Sequence, residues 1–316
     1  MGLLVDGVWH DQWYDTQSTA GRFVRSEAQF RHWITPDGAA GPSGEGGFPA
    51  ARGRYHLYVG LACPWAHRTM IFRRLKGLED HISLSVVHWV MAEHGWTFAA
   101  GDGVVADPVH HARYMHQIYT AAQPDYSGRV TIPVLWDRAR ATIVNNESSE
   151  IIRMLNAAFD SCGALPGDYY PPALRAEIDA INARVYETLN NGVYRAGFAT
   201  NQAAYDDAVV AVFETLDWLE ERLRSRDFLC GEQVTEADWR LFTTLIRFDA
   251  VYHYHFKCNL KRIRDYPGLH DLMMRLYAVP GVAATVDIAH IKGHYFGSHK
   301  AVNPSGIIPR GPLTPF

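Results

Sequence analysis

Apolar and polar positions follow two different rhythms along this chain. From about residue 54 to 158, short apolar runs exchange places with stretches of helical spacing. Tyr55–Val59, closed by Gly60, reads as a strand, and a helix follows over about 64–77. Ile82–Val87 is a second strand, rich in apolar and β-branched residues. A long connection then carries a helix around 107–122. Val134–Trp136 and Thr142–Val144 are short strands split by the polar turn Asp137–Arg140, and a helix opens near Glu147 and runs to Ala158. From about 170 the spacing is helical alone, through 172–190, 203–224, 236–248 and 266–278. The third of these helices opens at Thr235-Glu-Ala-Asp238, the spacing of a capping box.

These rhythms predict an α/β domain over 53–160 followed by an all-α domain over 170–290. The order βαβαββα is that of a thioredoxin-like domain. Residues 1–52 read as an irregular arm that holds Trp9, Trp13, Trp33 and Phe48. Disordered tails are poor in aromatics, so the arm is expected to pack on the folded body. Its glycine-rich stretch Gly41–Pro49 follows no strand and is not expected to cradle phosphate. Residues 291–316 read as an irregular, aromatic C-terminal extension.

Composition narrows the function. The chain has 316 residues, 47% of them hydrophobic, enough for a substantial core. A formal net charge of −4 argues against a nucleic-acid surface. Cys63, Cys162, Cys230 and Cys258 are too widely spaced for a disulfide framework or a zinc motif, which fits a reducing, cytoplasmic setting. His253-Tyr-His255-Phe-Lys-Cys258 lacks the spacing of a metal site, and no metal is expected. No apolar stretch is long enough to span a bilayer, and the first residues lack the pattern of a signal peptide.

Cys63 carries the chemistry. It falls between the strand ending at Gly60 and a helix whose first residue is Pro64, a position that tolerates proline because its N–H would be unpaired anyway. Unpaired N–H groups and the helix dipole stabilise a thiolate there, lowering a thiol pKa from ~8.5 toward the range of roughly 3.5–7.5. The fourth residue of Cys63-Pro-Trp-Ala66 is not cysteine, so no internal disulfide can form on that turn. Turnover then needs an external thiol, for which glutathione is the abundant candidate.

Two further features belong with it. Ile132-Pro133 precedes a strand, where thioredoxin-like domains place a cis proline facing the cysteine. The amide and carbonyl of Ile132 are suited to pair with the peptide of a thiol ligand. Asn146-Glu147-Ser148-Ser149 opens a helix. Ser148 and nearby N–H groups suit a carboxylate and Glu147 suits an ammonium, although both residues also suit plain helix capping.

These motifs, with Thr235–Asp238, resemble those of a cytosolic glutathione transferase. More narrowly, the chain resembles the Xi class, the glutathionyl-hydroquinone reductases. The narrower likeness lies in His-Gly-Trp96-Thr-Phe98, Tyr-Ser-Gly-Arg129-Val130, Asn-Asn-Gly-Val-Tyr194-Arg-Ala-Gly-Phe, Arg247-Phe-Asp249, His-Phe-Lys-Cys258 and His294-Tyr295-Phe296. Isoleucine stands before Pro133 where valine is common. The resemblance implies the glutathione transferase fold, a homodimer, and Cys63 as the catalytic thiolate. It implies that Trp96, Arg129, Ile132, Glu147 and Ser148 bind glutathione as co-substrate. It implies that Tyr194 and Tyr295 direct their hydroxyls at the oxygens of a glutathionyl-hydroquinone. Two rival readings stay open: an Omega-like thioltransferase or dehydroascorbate reductase, and a non-catalytic binding module on the same fold.

Overall fold

The computed structural model describes residues 2–42, 46–314 and 316. The chain divides into two compact units. One comprises residues 1–13, 26–168 and 284–287, the other 14–25, 169–283 and 288–316.

The first unit is built on a four-stranded sheet. Its strands are β5 (Tyr55–Val59), β6 (Ile82–Val86), β8 (Val134–Asp137) and β9 (Thr142–Asn145), in the order β6-β5-β8-β9. β5 runs parallel to β6, pairing Tyr55 with Ile82 and Val59 with Val86. It runs antiparallel to β8, pairing Tyr58 with Val134. All five residues of β5 are buried, as a central strand covered on both faces requires. Helices α1 (Pro64–Leu75) and α3 (Ser148–Ala157) pack against each other. The order predicted from the sequence is therefore present. Three readings need correction. Only Met115–Ala122 (α2) of the expected 107–122 helix is helical. The Asp107 carboxylate accepts from the backbone N–H groups of Val109, His110 and Ala112 at 2.9, 3.0 and 3.1 Å, and this local bonding displaces the first helical turns.

The second correction concerns the arm, which is not irregular. β1 (Leu3–Val5) and β2 (Val8–His10) form a hairpin, and β1 also pairs with β7 (Gly128–Arg129). Asp6 and Gly7 sit at φ +48° and +77°, the left-handed pair that closes a two-residue hairpin turn. β3 (Trp33–Thr35) pairs in parallel with β4 (Gly47–Pro49). Residues 43–45 of the glycine-rich stretch lie outside the described residues. Residues 14–25 belong to the second unit, where Phe23 meets Phe198 with ring centroids 5.2 Å apart and Gly21 O accepts from Thr200 N–H at 3.1 Å.

The second unit is helical: α4 (Arg175–Val185), α5 (Gly192–Gly197), α6 (Gln202–Leu223), α7 (Glu236–Arg247), α8 (His253–His255), α9 (Pro267–Tyr277) and α10 (Ile288–Ser298). Every residue of α7 is buried, and each of its large apolar side chains contributes about 1.5–3 kcal/mol of burial. The capping box is formed: Asp238 Oδ2 accepts from Thr235 N–H at 2.8 Å and from the Thr235 hydroxyl at 3.0 Å. Wide π-turns at Tyr186–Asn190 and Phe248–Tyr252 lead into α5 and α8. The C-terminal extension is likewise not irregular from 291, because α10 runs to Ser298. Gly293 and Gly297 lower its intrinsic propensity by about 1 kcal/mol each, and burial of Ile291, His294, Tyr295 and Phe296 overrides that. Among the described residues no helix is long and apolar enough to cross a membrane.

Candidate active site

Cys63 is the N-cap of α1, with Pro64 at the first helical position. Its backbone N–H donates to Gly60 O at 3.0 Å, which closes the turn after β5. Its Sγ lies 3.5 Å from Ala66 N and 3.6 Å from Ile132 O. The two contacts serve different protonation states: a thiol donates to the Ile132 carbonyl, and a thiolate accepts from the Ala66 amide. Cys63 is 8% exposed, and no disulfide joins the four cysteines.

The Ile132-Pro133 bond is cis. Ile132 N–H makes no hydrogen bond among the described residues, so a backbone donor stands open beside the sulfur. Trp96 is buried in the same unit, and its carbonyl accepts from Met115 N–H at 2.9 Å. Ile132 and Trp96 both crowd Gly60. A Cβ on Gly60 would stand 2.7 Å from Ile132 Cδ1 and 3.8 Å from Trp96 Cζ3.

At the start of α3, Glu147 is the N-cap. Its Oε1 accepts from Ser149 N–H and from the Ser149 hydroxyl, both at 2.8 Å. Glu147 therefore caps the helix, while Oε2 takes none of these bonds. Ser148 is buried and its Oγ accepts from the Arg68 guanidinium at 3.4 Å. Asn145 Oδ1 accepts from Glu147 N–H at 2.7 Å, and Asn146 Nδ2 donates to the Tyr119 hydroxyl at 3.1 Å, so the backbone entering the helix is pinned. Arg129 stands on β7. Its guanidinium donates to the carbonyls of Gln12, in a short contact, and of Trp13 at 3.0 Å.

The second unit holds a chain of phenols. Tyr194 on α5 and Tyr295 on α10 have hydroxyls 2.5 Å apart, and Tyr252 Oη lies 3.0 Å from Tyr295 Oη. Burial, with Tyr194 and Tyr252 adding to it, pushes the Tyr295 pKa well above its ordinary value, so its hydroxyl is a neutral donor. The Arg25 guanidinium lies 5.1 Å over the Tyr194 ring and donates to Asn191 Oδ1 at 3.0 Å. Burial pushes the Cys258 thiol up to about 12, and His255 lies 3.2 Å from His299.

Family models match both halves of this architecture. Residues 62–158 match the glutathione S-transferase N-terminal domain, and residues 202–273 match the C-terminal domain. The chain belongs to the glutathione S-transferase family. It is 60% identical over 316 residues to glutathionyl-hydroquinone reductase PcpF of Sphingobium chlorophenolicum, covering 100% of this chain and 98% of that protein. Among solved structures it is similar to the glutathione-bound YqjG of Escherichia coli K-12, with a TM-score of 0.91 and 55% identity over 98% of this chain and 96% of that one. It is also similar to the Xi glutathione-S-transferase of Phanerochaete chrysosporium, with a TM-score of 0.88 and 50% identity over 93% of this chain and 99% of that one. This places it in the Xi class and confirms the transferase fold.

Sequence reasoning about this transferase missed Tyr252 and Asn145, and read Arg68 as adding positive potential beside Cys63 or as facing solvent or an interface, whereas it is buried and bonds Ser148. Arg68 had a signal, lying five residues after Cys63 on the same helix. Tyr252 had none, because the π-turn that presents it breaks the spacing of 3.6 residues.

Proposed function

We propose that this Xi-class transferase reduces glutathionyl-hydroquinones to hydroquinones, with glutathione as co-substrate and Cys63 as nucleophile. The observation that carries the reading is the thiol held 3.5 Å from a helix-capping N–H with alanine at the fourth position of the motif. Full-length likeness to a curated reductase of that name supports it.

The Cys63 thiolate attacks the thioether sulfur. The sulfur–ring bond breaks, a mixed disulfide between Cys63 and glutathione forms, and the electron pair left on the ring carbon takes up a proton. Tyr194 and Tyr295 bond the hydroquinone oxygens, and the neutral phenols supply the proton. A second glutathione attacks the mixed disulfide, releases oxidised glutathione and returns the thiolate. Ile132 pairs with the glutathione backbone, and Trp96 and Arg129 line its site. Ser148 takes the γ-glutamyl carboxylate and Glu147 its ammonium. The chain works in the cytoplasm as a homodimer.

The test is turnover of a synthetic glutathionyl-hydroquinone with glutathione, read by product chromatography, for wild type and Cys63→Ala. Free hydroquinone plus oxidised glutathione, lost in the variant while glutathione binding persists, supports the scheme. Near-normal turnover by Cys63→Ala rules it out. Activity confined to small mixed disulfides identifies a thioltransferase instead.

A further inference from the structure

We infer that Arg68 is a positioning residue that fixes Ser148 as a hydrogen-bond donor and makes the start of α3 selective for a carboxylate. The inference rests on the proposed glutathione site and adds to it a residue that does not touch the ligand.

Arg68 lies on α1 and is 1% exposed. Its guanidinium stacks over Trp65, 4.7 Å from the ring centroid, and its Nη1 donates to Ser148 Oγ at 3.4 Å. A guanidinium has donors and no acceptor, so this contact has one polarity only. Ser148 Oγ is the acceptor, and the serine's own proton is left to be donated elsewhere. Within the structure that proton reaches Glu147 Oε1 at 3.5 Å, a long contact. A carboxylate arriving at the helix start offers a better acceptor.

Charge works in the same direction. The first turn of α3 carries two acids, Glu147 at the cap and Glu150. Glu150 is bonded by Arg31 and by Asn145 Nδ2. Glu147 on its own would repel an incoming carboxylate. A buried cation behind Ser148 offsets it, and burial strengthens the effect because screening is weak there. The start of α3 thus presents a serine donor backed by a cation next to an acid, a pairing that suits a zwitterionic amino-acid head. The γ-glutamyl end of glutathione carries such a head.

The experiment is calorimetric binding of two probes, glutathione and glutathione whose γ-glutamyl carboxylate is converted to a carboxamide. Both are titrated into wild type, Arg68→Met, Arg68→Lys and Ser148→Ala. Wild type is expected to prefer glutathione. Arg68→Met and Ser148→Ala each weaken glutathione about tenfold, the scale of one charge-assisted bond, and leave the amide nearly unmoved. Arg68→Lys restores part of the preference. The double variant Arg68→Met/Ser148→Ala binds no more weakly than the weaker-binding single variant, because both act on the same bond to the carboxylate. Equal weakening of both probes by Arg68→Met means a merely structural role and overturns the inference, as does unchanged preference. If Arg68→Met fails to fold, full preference retained in Ser148→Ala overturns it. Turnover with no carboxylate preference in wild type sinks this inference and spares the reductase reading. Absence of hydroquinone release with the preference intact does the reverse.

Discussion

The hydroxyls of Tyr194 and Tyr295 lie 2.5 Å apart, and Tyr295 is at the same time 3.0 Å from Tyr252. Two links among three phenols consume two of the three protons. Tyr295 stands in the middle and takes part in both links. Tyr295→Phe should therefore lower kcat by about 10²-fold with little change in KM for glutathione, a loss within the range for one positioned proton donor. It should also cost about 1–3 kcal/mol of stability, since two buried hydroxyls lose a partner. Steady-state kinetics with a urea titration checks both, and wild-type kcat would remove Tyr295 from the chemistry.

Acid should loosen the second unit through its histidines. Burial pushes His255 down to about 4, and burial also holds His299, 3.2 Å away, well below its ordinary value. The folded state keeps both neutral, while the unfolded chain protonates them near pH ~6.5. Their contribution is thus complete above that pH and is lost as pH falls toward 4. The His255 share is at most about 3 kcal/mol. Urea midpoints between pH 7 and 4 should fall less steeply in His255→Phe, and an identical slope would show that His255 is not involved.

Gly60→Ala should act on the site more than on the fold. The new methyl would meet Ile132 Cδ1 at 2.7 Å and Val87 Cγ2 at 3.1 Å. The first neighbour is the end of a flexible side chain, so the stability cost should stay near 1 kcal/mol. Ile132 carries the open amide beside Cys63, so KM for glutathione should rise several-fold. Thermal melting with kinetics separates the two effects; a large loss of Tm at constant KM contradicts the argument.

The cap of α7 should be worth more than an exposed one. Asp238 is fully buried and also accepts from Leu229 N–H at 2.8 Å. Asp238→Ala strands that amide and Thr235 N–H, and should cost about 3 kcal/mol or more, against about 1 kcal/mol for Thr235→Ala. Equal costs in urea titrations would show that the buried amides find other partners.

Much of this was legible in the sequence because it rests on local rules. Strand, glycine, cysteine and proline in succession specify a helix start at Cys63. Thr235 and Asp238 specify another, and helical spacing marks the second unit. What escaped is instructive. Val5-Asp6-Gly7-Val8 carried a strong hairpin signal that aromatic content obscured. Helix α10 is held by burial against its two glycines. Each π-turn adds a residue to one turn and rotates everything after it, so the meeting of Tyr252 with Tyr295 has no periodic trace. The Arg68–Ser148 contact joins residues 80 apart, and no single-sequence rule reaches that far.

The pairing of β1 with β7 also has a consequence in time. Asp6 N–H donates to Ser127 Oγ at 2.8 Å, 121 residues downstream, and Arg129 grips the carbonyls of Gln12 and Trp13. The arm is synthesised well before its partners at 127–129, which follow it by more than a hundred residues. Closing so long a loop costs only a few kcal/mol, because the entropy grows with the logarithm of length. The arm therefore waits for residues 127–129 before it can be seated. The seating of the arm on Arg129 is a long-range step of assembly, one that pulsed amide exchange can date.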